Sequence, residues 1–268
     1  MTAPTAAAYS AAGGVWQQGP GRIYDRLAEV VVGCSPVSVA GALALDLGAG
    51  TGAAGRALLA AGASAVVAVD AAHGMLAHDA ATRPPAVAAD ALRIPFSARR
   101  FGVTVAAFSL THLLDPSTGL REAARVTDAE GAVITSAYAA DDIHPVKAAV
   151  EEALRARGWR PEPWYEVLRS TSAPKLATVD GCRAAAAGAG LASVDIVALR
   201  VPFPELGAAE LVSWRMGLAQ HAPFVAALPT DADRADAVAD AIGRLGTDWP
   251  ILERSILVIA AKVGEVDR

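Results

Sequence analysis

The stretch "LALDLGAGTGAAG", residues 43–55, carries two overlapping glycine patterns, and the choice between them decides how the chain is read. Counted from Gly50, the residues Gly50, Gly52 and Gly55 form G-x-G-x-x-G, the spacing of a dinucleotide-binding turn. Counted from Asp46, the same stretch is an acid at a strand end followed by Gly48, Gly50 and Gly52. Both patterns place a glycine-rich turn between a buried strand and a helix, where backbone can approach a ligand closely. In either case an acid about 20 residues on would meet a ribose, and Asp70 stands at that distance. Asp46 separates the two. A carboxylate just before the turn repels a pyrophosphate but suits a ligand with a cationic amino-acid end.

Outward from this loop, strand and helix signals alternate. "ALALDL" (42–47), "SAVVAVD" (64–70), "AVAAD" (86–90), "FGVTVAAFSL" (101–110) and "GAVITSAY" (131–138) are short apolar runs that predict five strands. Helical spacing follows the first strand over 53–62 and the second over 72–81; "DPSTGLREAARV" (115–126) opens a third helix with Pro116 in its first turn. Strands separated by helices imply right-handed crossovers and a parallel, doubly wound α/β sheet. Beyond residue 140 the rhythm changes: a helix over 144–159, a proline-broken aromatic loop over 160–167, a helix over 178–191, a strand over 192–203, mainly helix over 204–247, and a last strand, "RSILVIAAKV" (254–263). We expect residues 1–40 as a helical lid and 41–268 as one ligand-binding domain with helical insertions at about 141–175 and 204–250.

Composition narrows the function classes. The chain has 268 residues, 53% hydrophobic and 19% charged, with a formal net charge of −5. That composition predicts a packed core, and without a basic cluster it argues against a nucleic-acid partner. Cys34 and Cys182 form no C-x-x-C motif, so a thiolate metal site is not expected, nor any other metal; both are expected as buried free thiols. No apolar run approaches the roughly 18 residues of a membrane span, and the alanine-rich start lacks a basic region of the secretory kind. A soluble cytoplasmic protein is expected, its oligomeric state open between monomer and homodimer.

At four points in order, the chain resembles the class I S-adenosyl-L-methionine (SAM)-dependent methyltransferases. "LDLGAGTG" resembles their first motif, "VAVDAAHGML" (67–76) their second and "AADALRIPF" (88–96) their third. "FSLTHLLDPSTGLREAARVTDAEGAVI" (108–134) is similar to the branch that resembles enzymes of ubiquinone and menaquinone biosynthesis. That branch closes the stretch with Arg-Pro-Gly-Gly, where this chain has Asp128-Ala129-Glu130-Gly131. The resemblance implies a seven-stranded, Rossmann-like sheet whose seventh strand, supplied by 254–263, runs antiparallel.

It also implies a cofactor site. Asp46, Gly48, Ala49, Gly50, Thr51 and Gly52 would surround the methionine end, and Asp70 with Ala71 the ribose. Met75, Asp90, Ala91 and Leu92 would hold the adenine, and Phe108 and Ser109 would border the sulfonium. In the N-terminal segment Ile23, Leu27, Val30 and Val31 recur at helical spacing; Trp16, Gln17 and Tyr24 would form the lid over SAM. His112 and His144 are candidate catalytic groups because each follows a strand's carboxyl end, and Tyr138 is a third because it could point into the pocket. Trp16, Trp164, Tyr165, Trp214, Arg215 and His221 are candidates for the wall of a pocket for a small, largely hydrophobic substrate. Asp141-Asp142 is the only partial match to a metal-assisted mechanism. Three readings stay open beside methyl transfer from SAM to O or C, less to N: an NAD-dependent oxidoreductase, a SAM-binding protein with a non-methylating reaction, and a silent SAM-binding module.

Overall fold

Alternation of small and branched apolar residues builds a sheet with two buried faces. The computed structural model describes residues 1–78, 80, 83–191 and 193–264. Two helices come first, α1 (Ala3–Trp16) and α2 (Pro20–Gly33). Then β1 (Leu43–Leu47), α3 (Ala53–Ala60), β2 (Ala65–Asp70), α4 (His73–Ala77), β3 (Ala86–Ala88) and β4 (Phe101–Ala107) alternate. A 3-10 turn at Leu110–His112 leads to α5 (Pro116–Val126) and β5 (Thr127–Tyr138). The later part comprises α6 (Val146–Ala156), α7 (Pro163–Val167), α8 (Val179–Gly188), β6 (Ser193–Phe203), α9 (Ala208–Met216), α10 (Ala222–Ala226), α11 (Asp231–Leu245) and β7 (Leu252–Lys262).

The seven strands form one sheet in the order β3-β2-β1-β4-β5-β7-β6. The pairs among β1 to β5 are parallel, whereas β7 lies antiparallel between β5 and β6. The order reverses between β1 and β4, the topological switch point where open α/β sheets bind ligands beyond the strands' carboxyl ends. Period-two side chains separate the faces: Ala44, Val103, Val105 and Ile134 pack under α1, α2, α3, α6 and α9, and Leu45, Leu47 and Ala106 under α5 and α8.

Several expected boundaries shift for physical reasons. The fourth strand ends at Ala107, not 110, because Phe108 takes φ +55°, a left-handed conformation unusual for a bulky residue. The expected aromatic loop at 160–167 is partly helix α7, with Pro163 in its first turn, running on through a π turn at Leu168–Ser172. The expected helix 72–81 is seen over His73–Ala77, with Asp79 and Ala81 outside the described residues, as is Ala192 of the expected sixth strand. Cys182 is buried, but Cys34 is only partly so. Among the described residues, no helix is long and apolar enough to cross a membrane.

The N-terminal helix α1 reaches across to α4 through two glycines. A Cβ on Gly13 would stand 2.4 Å from the Gly74 carbonyl oxygen, and one on Gly74 would stand 2.2 Å from the Ser10 carbonyl oxygen. Only glycine permits that crossing, and it brings Tyr9 over the sheet's ligand-binding edge.

Candidate functional site

A single cavity of about 350 Å³ opens at the carboxyl ends of β1, β2, β4 and β5. One end is the glycine loop. Gly48, Gly50 and Gly52 have φ of +73°, +54° and +88°, so all three use the freedom that only glycine has without strain. At Gly48 the constraint is double, since a Cβ there would lie 2.2 Å from the Ser109 Cβ. Ser109 is fixed in turn by its hydroxyl, which donates to the Leu47 carbonyl at 2.8 Å.

Two buried carboxylates hold this loop. Asp70 accepts from the Gly50 N–H and from the Ala72 N–H, each at 2.7 Å, with one oxygen for each. A carboxylate oxygen can accept more than one hydrogen bond, so Asp70 can still accept from a pair of hydroxyls. Asp46 accepts from the Gly55 N–H at 2.7 Å, which ties the third glycine of the dinucleotide-like pattern to the acid. Burial pushes the Asp46 carboxyl up to about 7, against the pull of that hydrogen bond, and raises Asp70 as well. Thr51 donates to Gln17, which donates at 3.1 Å to Asp25, so the turn between α1 and α2 is pinned to the glycine loop.

The opposite end is made of rings and guanidinium groups. Tyr138 stacks on Phe108 with centroids 4.7 Å apart, and the Arg254 guanidinium lies 3.8 Å above the Tyr138 ring. Tyr24 meets Phe108 edge-on, Trp16 packs on Tyr24, and Trp214 stands beside Arg215 and Arg254. Burial raises the Tyr138 hydroxyl well above the ordinary range, so the ring stays neutral, and its oxygen has no hydrogen-bond partner. His112 is buried and its Nε2 lies 3.1 Å from the Tyr9 hydroxyl, while Nδ1 has no partner. Burial lowers the His112 imidazole to about 4, so it is neutral at pH 7 and one ring nitrogen offers a lone pair.

The methyltransferase domain family matches residues 45–135. Residues 45–135 belong to the class I SAM-dependent methyltransferases, of the ubiquinone and menaquinone type. Demethylmenaquinone methyltransferase of Mycolicibacterium gilvum is 43% identical over 94 residues, 35% of this chain and 41% of that protein. Malonyl-[acyl-carrier protein] O-methyltransferase of Halorhodospira halophila is 37% identical over 136 residues, 48% of this chain and 45% of that protein. The chain therefore spans about half the length, or less, of these curated relatives. A solved structure of Haemonchus contortus phosphoethanolamine N-methyltransferase 2, in complex with phosphomonomethylethanolamine and S-adenosylhomocysteine, superposes with TM-score 0.55 at 15% identity, over 88% of this chain and 52% of that one. The [4+2]-cyclase SpnF gives 0.52 at 20% identity, over 90% and 82%. These structural likenesses speak for the fold alone.

The cavity gathers most of the expected residues on its wall. Tyr24, Asp46, Gly48, Ala49, Gly50, Thr51, Asp70, Ala71, Met75, Ala91 and Phe108 line it, as do His112, Tyr138, Trp16, Tyr165, Trp214 and Arg215. Six others are placed differently. Gly52 caps α3 instead of facing the cavity. The Asp90 side chain is 45% exposed and accepts from the Leu92 N–H and the Met1 ammonium; Leu92 points outward. His144 donates from Nε2 to the Pro250 carbonyl and accepts the Val146 N–H on Nδ1, which caps α6 and leaves no nitrogen for catalysis. Trp164 donates to Glu162, and His221 packs on Trp159 with Nδ1 bonded to the Arg215 carbonyl, so both support the wall from behind. Asp142, half of the metal-like pair, is bound by the Arg254 guanidinium at 2.9 and 2.5 Å.

Among the lining residues without a sequence signal are Tyr9, Lys147 and Arg254. Tyr9 sits in an alanine-rich stretch that offers no periodic pattern. Arg254 starts a strand whose apolar run drew attention to the sheet, and Lys147 lies on a helix read only for its spacing.

Proposed function

We propose that this protein transfers a methyl group from SAM to an oxygen or carbon atom of a small, largely apolar metabolite, in a specialised biosynthetic route. One observation carries the reading: a single cavity runs from a glycine loop flanked by two carboxylates to a chamber walled by Phe108, Tyr138, Tyr24 and Trp214. Asp46 and Asp70 beside the loop suit a cationic amino-acid end and a ribose diol, and disfavour a pyrophosphate. The residues present therefore fit SAM, whose sulfonium supplies an electrophilic methyl carbon for in-line displacement.

The chain's own contribution is positioning and exclusion of water. Phe108, held in its left-handed turn at a strain of roughly 1–3 kcal/mol, and Tyr138 close the chamber beside the cofactor end. Helices α1 and α2 act as the lid, with Tyr9 and Gln17 as its contacts to His112 and Thr51. Neutral His112 accepts the acceptor's proton where one must leave. An oxygen acceptor is in keeping with the name of the malonyl relative, an O-methyltransferase.

Calorimetric titration with S-adenosylhomocysteine, and separately with NADH, tests the cofactor. Binding of the first alone is expected. Asp70→Ala should weaken that binding by roughly 1.5–3 kcal/mol through loss of a charged hydrogen-bond acceptor. NADH binding alone would replace this reading with a dinucleotide enzyme.

A further inference from the structure

The charges on the cavity wall are sorted by position. At the cofactor end the carboxylates are Asp46 and Asp70, and the one cation near them, the Met1 ammonium, is paired with Asp90. At the other end the wall carries Lys147, Arg169, Arg215 and Arg254, against one carboxylate, Asp142. Arg169 is paired with Glu166 at 2.7 Å, and Arg254 holds Asp142 through Nε and one terminal nitrogen. Its other terminal nitrogen, Nη1, is buried and has no partner.

Arg215 is less satisfied still. It is 9% exposed, its Nε is buried without a partner, and it forms no ion pair among the described residues. The acid whose field reaches it, Glu151, is held at 2.6 Å by Arg155. Both guanidinium groups lie within 5.3 Å of the centre of the Trp214 ring. The ring supports them but gives neither a counter-charge nor a hydrogen-bond acceptor. A guanidinium buried without a carboxylate beside it is costly, because the lost hydration must be offset. Two guanidinium groups packed on one indole, on a cavity wall where cations outnumber carboxylates, lack a counter-charge, and a carboxylate has the planar two-oxygen geometry that guanidinium groups recognise.

We propose that the methyl acceptor carries a carboxylate, seated by Arg215 and Arg254 against Trp214. This rests on the methyltransferase reading and refines its substrate class from a merely apolar molecule to an apolar acid. The apolar body lies along Tyr138, Phe108 and Tyr24, and the acid end faces away from Asp46 and Asp70, which would repel it.

The test uses the full chain saturated with S-adenosylhomocysteine and titrated with 1-naphthoate or its neutral isostere 1-naphthamide. Naphthoate is expected to bind at least tenfold more tightly. In Arg215→Met that preference should fall severalfold or more while S-adenosylhomocysteine affinity is unchanged, and Arg215→Lys should restore part of it. Equal or better binding of the amide, or no binding of naphthoate at millimolar concentration, overturns the carboxylate site and needs no variant to fold. Preference undiminished in Arg215→Met also overturns it. Failure of S-adenosylhomocysteine to bind is a separate result and removes the methyltransferase reading itself.

Discussion

The two ends of the cavity differ in both charge and construction. The cofactor end is made of backbone: three glycines in left-handed conformations, and N–H groups from Gly50, Gly55 and Ala72 that occupy two buried acids. Its glycine loop and both acids fall within residues 46–70. The acceptor end is made of side chains from α1, α2, α6, the π turn at Leu168–Ser172, α9, β5 and β7, a span from Tyr9 to Arg254, and its charge is positive. A site made by one loop tolerates little change in that loop. A site made by many elements tolerates change at each but depends on the sheet to bring them together.

Gly48→Ala should therefore produce the largest effect of any single methyl group in the site. The new Cβ would stand 2.2 Å from that of Ser109 and would hold φ +73°. Left-handed strain and overpacking together cost roughly 3 kcal/mol or more. Thermal melting should drop and S-adenosylhomocysteine binding should be lost. Gly52→Ala is the control: its φ is +88°, but the nearest atom to a new Cβ is 3.5 Å away. Strain alone, about 1–2 kcal/mol, is expected there, with binding kept. Equal melting of the two variants would deny that the approach of β4 to the loop constrains the cofactor end.

That same contrast decides what could be read without coordinates. The glycine loop, Asp46 and Asp70 were legible because a strand, a turn and a helix follow one another there, and each leaves a local signature. The antiparallel seventh strand was reachable only through family resemblance, yet β7 does run antiparallel between β5 and β6. His144 was misjudged because position after a strand end says nothing of where the ring turns, and here two backbone groups claim both nitrogens. Arg254 lies 39 positions beyond Arg215, and only the pairing of β5 with β7 brings it over Tyr138. No spacing rule records such a contact. Tyr9 depends on Gly13 and Gly74, two glycines whose partnership appears only when α1 crosses α4.

A second test falls at the join between the two ends. If His112 accepts the acceptor's proton, His112→Ala should slow methyl transfer about a hundredfold and leave S-adenosylhomocysteine affinity unchanged. Because burial holds the imidazole near 4, its titration lies far below neutrality, and the wild-type rate should show no His112-linked step between pH 6 and 9. A wild-type rate in the variant would make His112 a support for Tyr9, with the join belonging to the lid.

The smallest expected effect is also the one that addresses the charge asymmetry most directly. Asp46 titrates at about 7 because burial penalises its charged form. In the unliganded protein the folded state thus holds a proton that the unfolded chain has released, so this group's contribution to stability falls as pH rises from about 4 to 7. A cation brought against the carboxylate favours the charged form and reverses that preference. Binding of S-adenosylhomocysteine should then release protons between pH 6 and 7, and the share of Asp46 in the rise of affinity should be at most about tenfold per pH unit, levelling off above 7. Calorimetry in two buffers of different ionisation enthalpy counts the protons. Asp70, also raised by burial, adds to the slope with the same sign, so Asp46→Asn is needed to isolate the share of Asp46; it should abolish the step near 7. Naphthoate binding at the far end should show no such climb, since arginine does not titrate in this range. Proton uptake, or none, would mean that the ammonium of the ligand does not meet Asp46, and the cofactor end would owe its charge complementarity to Asp70 alone.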